Sequence, residues 1–215
     1  MRFLIGVLFI GLLVSMPLVA QTDVPFTEFK FGFLDPEDTG SGNLIGISTG
    51  RRIDNRLFWG LEVNYFRTVY QQVTTIADTI LGGAGVKTKQ LELKFTTTVI
   101  PIFLKLDYEL KLGPRSPFYF RASGALGWEL IWNNENNFLL DIERTRFFQG
   151  LGWQLTTGLG IRISDKGLLF VDAIYNNAVA SRNRERNELG LPIFQEIDVS
   201  GFGFKAGINI VGLGF

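Results

Sequence analysis

Residues 147–163 read FFQGLGWQLTTGLGIRI. Every second residue from Phe147 gives Phe147, Gln149, Leu151, Trp153, Leu155, Thr157, Leu159, Ile161 and Ile163, while the alternate set is Phe148, Gly150, Gly152, Gln154, Thr156, Gly158, Gly160 and Arg162. A period of two is that of a β-strand, whose successive side chains point to opposite faces. Soluble strands usually run about 5–6 residues. A tilted strand crossing a bilayer needs about 9–11, plus what projects beyond it. One face here is large and apolar and the other small and polar, as expected of a wall between lipid and a tight, wet interior. The stretch predicts a transmembrane β-barrel.

The rest of the chain repeats the pattern. Trp59, Leu61, Val63 and Tyr65 alternate with Gly60, Glu62 and Asn64, and Phe118 to Trp132 puts Trp128 opposite Glu129. Phe202, Phe204, Ala206 and Ile208 likewise alternate with Gly203, Lys205 and Gly207. In 88–108 the apolar phase moves from Leu91, Leu93 and Phe95 to Ile102, Leu104 and Leu106. A slip of one residue exchanges faces, so a β-bulge is expected between Thr97 and Pro101. Eight strands result, with connections alternating long and short: 35–43, 71–86, 133–146 and 180–194 against 52–56, 109–117 and SDKG at 164–167. Such asymmetry separates extracellular loops from periplasmic turns. The predicted fold is all-β, an eight-stranded antiparallel up-and-down transmembrane β-barrel.

The first twenty residues follow a different logic. Met1-Arg2, the apolar run 3–14 and Leu18-Val19-Ala20 have the layout of a signal peptide cleaved after Ala20. The expected organisation is therefore 1–20 signal peptide and 21–215 barrel. Arg2 is the only charge in the leader, so 21 − 1 = 20 basic residues face 21 acidic ones in the mature chain. No clustered basic excess points to nucleic acid. Histidine and cysteine are absent. This removes Ser-His and Asp-His chemistry, thiolates, disulfides and zinc sites of the usual donors. An enzyme is not expected, nor is any cofactor or metal. Gly82-Gly83-Ala84-Gly85 lacks the lysine and Ser/Thr of a phosphate-binding loop.

Alternation places Glu28, Glu62, Glu92, Asp107, Glu129 and Asp172 in the interior together with Lys30, Lys94, Lys105, Arg121, Arg162 and Lys205. An eight-stranded lumen is only wide enough for side chains to fill it. The expected interior is therefore a charge-balanced polar network, with a narrow solute or ion conduit as the alternative. Outward aromatics Trp59, Tyr65, Phe118, Trp128, Trp132, Trp153 and Tyr175 are expected to form interfacial girdles. Arg182, Arg184 and Arg186 form a loop-borne cluster suited to anions such as lipopolysaccharide phosphates.

The segments VIPIFLKLDYEL (99–110), PFYFRASGALGWEL (117–130), GLGIRISDKGLLFVDAIYN (158–176) and EIDVSGFGFKAGINI (196–210) resemble the bacterial outer-membrane β-barrel domain family that includes OmpA-like and OmpX-like proteins. The resemblance spans Phe26 to Ile210 in strand order. It implies a porin-like barrel at the cell surface, in the outer membrane, in contact with its lipids and lipopolysaccharide. It implies no shared active site. Terminal Phe215, with Leu213 and Val211, resembles the signal read by the barrel-insertion machinery, although Gly212 and Gly214 interrupt the usual run. Loops on rigid scaffolds commonly hold function, so the expected role is a structural, surface-contact or adhesion-type one, with four extracellular loops contacting a surface protein, host or substrate ligand.

Overall fold

The computed structural model describes residues 24–78, 86–138, 140–186 and 192–214, and of 72–78, 86–92, 183–186 and 192–194 the backbone alone. The expected leader lies outside the described residues. Nine strands carry the chain: β1 (Pro25–Pro36), β2 (Gly42–Arg52), β3 (Leu57–Asp78), β4 (Val86–Lys111), β5 (Phe118–Asn137), β6 (Ile142–Arg162), β7 (Gly167–Arg186), β8 (Pro192–Asp198) and β9 (Gly201–Val211). All pairings are antiparallel and join sequence neighbours, except that β7 pairs with both β8 and β9 and β9 closes on β1. β8 and β9 are thus one wall strand interrupted at Val199–Ser200, and the barrel has eight walls. It is an all-β, antiparallel, up-and-down barrel.

Paired residues lead round the wall from Phe26 through Gly50, Gly60, Lys105, Ala125, Gln154, Asn176 and Gly201 to Pro36. The circuit returns to β1 ten residues along (36 − 26), so the strands are sheared by ten. With ordinary strand rise and spacing, that shear over eight strands gives a tilt of about 40°. The lumen is consequently narrow. A Cβ on Gly158 would stand 2.1 Å from Val171 O and 2.6 Å from Asp172 Cα, so that position tolerates no side chain, and one on Gly46 would have to displace the Asn64 amide.

The bulge expected between Thr97 and Pro101 is absent. β4 keeps one register with β5 from Leu93 to Lys111, and its β3 partners keep one register from Thr96 to Tyr108. The shift lies between Gln72 and Val73. Odd-numbered β4 residues from Thr97 to Glu109 are buried and the even ones less so. Leu93 and Phe95 therefore share the inward parity. Apolar residues change face there because the strand has passed out of the lipid zone, so the outward side no longer has to be apolar.

Strand lengths are the second correction. Most of the segments expected as loops at 71–86, 133–146 and 180–194 are β-structure: β3 runs to Asp78, β5 to Asn137 and β7 to Arg186. These extensions pair with each other, which satisfies their backbone, and being outside lipid they need no apolar alternation. β3 beyond Arg67 pairs only with β4, and β8 only with β7, among the described residues. Above the short β1–β2 hairpin the extended wall is therefore, among the described residues, an open sheet whose β3 and β8 edges have no strand partner.

Candidate functional site: the filled lumen and its two ends

Alternation along the tilted strands divides the interior into two layers. At the end carrying the short turns, Glu28 is the hub. Its Oε2 accepts from Lys105 Nζ at 2.7 Å and Ser48 Oγ at 3.0 Å. Its Oε1 accepts from Asn209 Nδ2 at 3.1 Å and from Arg121 Nη2. Lys105 also reaches Asp107 Oδ1 at 2.8 Å and Glu62 Oε2 at 3.6 Å. Lys30 Nζ pairs with Glu62 and donates to Ser48 Oγ at 3.1 Å. Arg121 spans the lumen to Glu109 Oε1 at 3.4 Å and Asp172 Oδ2 at 3.5 Å, with its guanidinium over the Phe170 ring at 3.9 Å. Lys205 is buried on the same face, 2% exposed. A charge so far from water is tolerable when paired and hydrogen-bonded. The mesh does this for Glu28, Lys30, Glu62 and Lys105, while Lys205 Nζ has no hydrogen-bond partner among the described residues.

At the hairpin end the fill is apolar. Leu34, Leu44, Phe66, Val99, Ile131, Phe148, Ile174, Ala178, Ala180 and Val199 form one buried cluster. Every wall contributes, the eighth through Val199 at its break, so the cluster closes the lumen like a plug. Glu129 sits beside it, 0% exposed, accepting from Asn176 Nδ2 at 3.0 Å through Oε1. Asn176 Nδ2 also donates to Val199 O, at the break between β8 and β9. Above the plug, Arg146 pairs with Glu135 at 2.6 Å and Arg182 lies over the Phe148 ring at 5.8 Å.

The residues expected in the interior divide into several groups. Glu28, Lys30, Glu62, Lys105, Asp107, Arg121, Asp172 and Lys205 come together in the charged layer. Glu129 is apart from it. Arg162 stands at the turn-end rim over the Tyr119 ring, 4.7 Å away. Lys94 is a correction: it has the outward parity of β4, opposite Gln71 and Asn136, because no bulge reverses the strand below it. The side chains of Glu92, Arg184 and Arg186 lie outside the described residues. Glu109 was missed because the strand was ended at Tyr108; it belongs to β4 and is 5% exposed. The apolar plug was missed as a unit.

On the outer wall, Trp153 stacks on Tyr175 at 5.5 Å and Tyr175 on Phe202 at 4.7 Å. Allowing for tilt, Tyr65 and Trp128 share this level. Trp59 and Phe118 lie near the turn end. Trp132 is a correction: four residues beyond Trp128 on β5, it stands about 10 Å above that level at ordinary strand rise, packed on Phe147 at 5.2 Å. It belongs to the raised sheet, not the girdle. The last strand includes Val211, while Gly212 to Gly214 lie outside it, with positive φ at Gly212 and Gly214.

No family model matches the chain. No curated protein matches it either. Solved structures do. Neisserial surface protein A is 14% identical over 86% of this chain and 96% of its own, with a TM-score of 0.52. A major outer membrane protein of Thermus thermophilus is 11% identical over 87% and 98%, TM-score 0.49. OprG of Pseudomonas aeruginosa is 14% identical over 89% and 97%, TM-score 0.47. Identities this low speak to fold alone. In fold, then, the chain is similar to small outer-membrane β-barrels such as Neisserial surface protein A.

Proposed function

We propose that this barrel works through what it displays rather than through what it passes. The observation that supports this is the double closure of the lumen, a charged mesh at one end and a ten-residue apolar cluster at the other. Ions would have to break paired charges and then cross a dry layer. The short turns are assigned to the periplasm and the β3–β4, β5–β6 and β7–β8 hairpins to the cell surface. There the sheet is raised above the girdle and open at β3 and β8. Free strand edges are templates for an incoming strand, so a protein partner is the natural contact. The role is structural and adhesive, without catalysis, in contact with outer-membrane lipids and lipopolysaccharide and reaching the membrane through the barrel-insertion machinery. Arg182, Arg184 and Arg186 would add an anion contact on β7.

The test shortens one hairpin. Replacing 136–143 by Asn-Gly should leave the heat-shifted band of a folded barrel. It should also reduce adherence of expressing cells to wells coated with fibronectin, collagen or heparin. Equal adherence of wild-type and shortened forms would remove the surface-contact role.

A further inference from the structure

The turn end carries a charge imbalance that the lumen does not explain. The end of β2 and the β2–β3 turn bear Arg52 and Arg56, the end of β4 and the β4–β5 turn Lys111 and Arg115, and the β6–β7 turn Lys166 beside Arg162. The described carboxylates facing water there are Asp54 and Asp165. Asp54 Oδ1 is taken by the amides of Arg56 and Leu57 at 2.6 and 2.8 Å. Arg52 donates to the carbonyls of Asp54 and Asn55, and Lys111 to that of Pro114. These bonds go to neutral oxygens, so they leave the charges of Arg52 and Lys111 standing. Arg56, Arg115 and Lys166 are exposed.

The turns stand shoulder to shoulder. Glu109 N donates to Arg56 O, Arg162 N to Pro117 O and Val211 N to Lys166 O. The cations are therefore held in a collar round the barrel's base. The collar begins where the apolar wall stops: Arg51 is the strand partner of Trp59, and Lys111 that of Tyr119, next to the outward Phe118 and Phe120. At that level a bilayer places its phosphates, within a Debye length of every collar residue.

We propose that this collar binds the anionic phospholipid headgroups of the leaflet at the turn end, holding the barrel at a fixed depth. It rests on the assignment of the turns to the periplasm for which leaflet is meant. The chemistry of cation against lipid phosphate does not depend on that assignment.

The full protein would be folded into vesicles of phosphatidylcholine alone, or with one-third phosphatidylglycerol, and the midpoint of its heat-shifted band measured. The midpoint should rise by several degrees with phosphatidylglycerol, and the rise should shrink in 0.5 M salt on the order expected from screening. The triple variant R56Q/R115Q/K166Q should lose most of the rise. R67Q/R144Q, at the opposite end, should keep it. A wild-type midpoint indifferent to phosphatidylglycerol, or a triple variant that keeps the full rise, would overturn the proposal. Capture of poly-glutamate by the collar without any lipid dependence would overturn it in favour of an acidic soluble partner. Because the chain has no cysteine, S116C reports orientation separately. Labelling by an impermeant maleimide only after the outer membrane is opened supports the periplasmic assignment. Labelling of intact cells would overturn that assignment and move the collar to the outer leaflet.

Discussion

The two halves of the lumen are built from opposite materials. The turn-end half is held by ion pairs converging on Glu28, and the hairpin-end half by Phe66, Ile131, Phe148 and their apolar neighbours. In the first half Glu28 faces three cations and Glu62 two. The carboxylate in the second, Glu129, has an amide for its partner. The same residue type therefore has different consequences in the two halves. The charged half is sensitive to loss of one member, because each removal takes a counter-charge from its buried partners. The apolar half is sensitive to volume.

The largest effect should come from the hub. E28Q removes the counter-charge that Lys105 and Arg121 share, leaving each with its remaining carboxylates. Losing one member of such a buried charge network costs about 3–5 kcal/mol. Urea unfolding in detergent micelles should show the loss, and an E28Q barrel as stable as wild type would deny the hub its role. Next comes the plug. F66A deletes a ring that is 1% exposed, for which a cost of about 3–5 kcal/mol in a rigid site is usual, and less where neighbours collapse inward. The same unfolding curve reads it, and its size relative to E28Q tells how rigidly the plug is packed. E129Q is the sharpening case. Asn176 keeps an acceptor and no cation is stranded, so the change should stay within about 1 kcal/mol. A loss as large as that of E28Q would mean that the two carboxylates are equivalent after all. Smallest is W153A on the lipid side, which gives up a stack on Tyr175 worth about 1 kcal/mol and should lower the midpoint of the heat-shifted band slightly.

The sequence carries the wall clearly and the lumen less so. The seventeen-residue alternation around Trp153 could only be a long strand, and the same rule applied to Glu28, Glu62, Lys105 and Lys205 put them on the side where the structure has them. Lys94 failed because its assignment depended on a bulge. A bulge keeps Leu93 and Phe95 on the lipid-facing side, whereas β4 runs in one register through both and has them on the inward parity. Strand extensions such as 133–137 and 180–186 carry polar residues on both faces, so their pairing leaves no period to read. The plug was partly visible. Phe66 and Phe148 fall on the inward parity, but a layer made by eight walls is a property of the shear. Shear depends on register, which no single strand encodes. Glu109 was lost by ending β4 one residue too soon.

Reading the lumen as closed underlies everything else, and single-channel recording tests it directly. The folded barrel in a planar bilayer at neutral pH should be silent, and should remain so over the voltages that the bilayer withstands. Steady unit conductance steps from the wild-type protein would contradict the double closure and make the lumen a conduit.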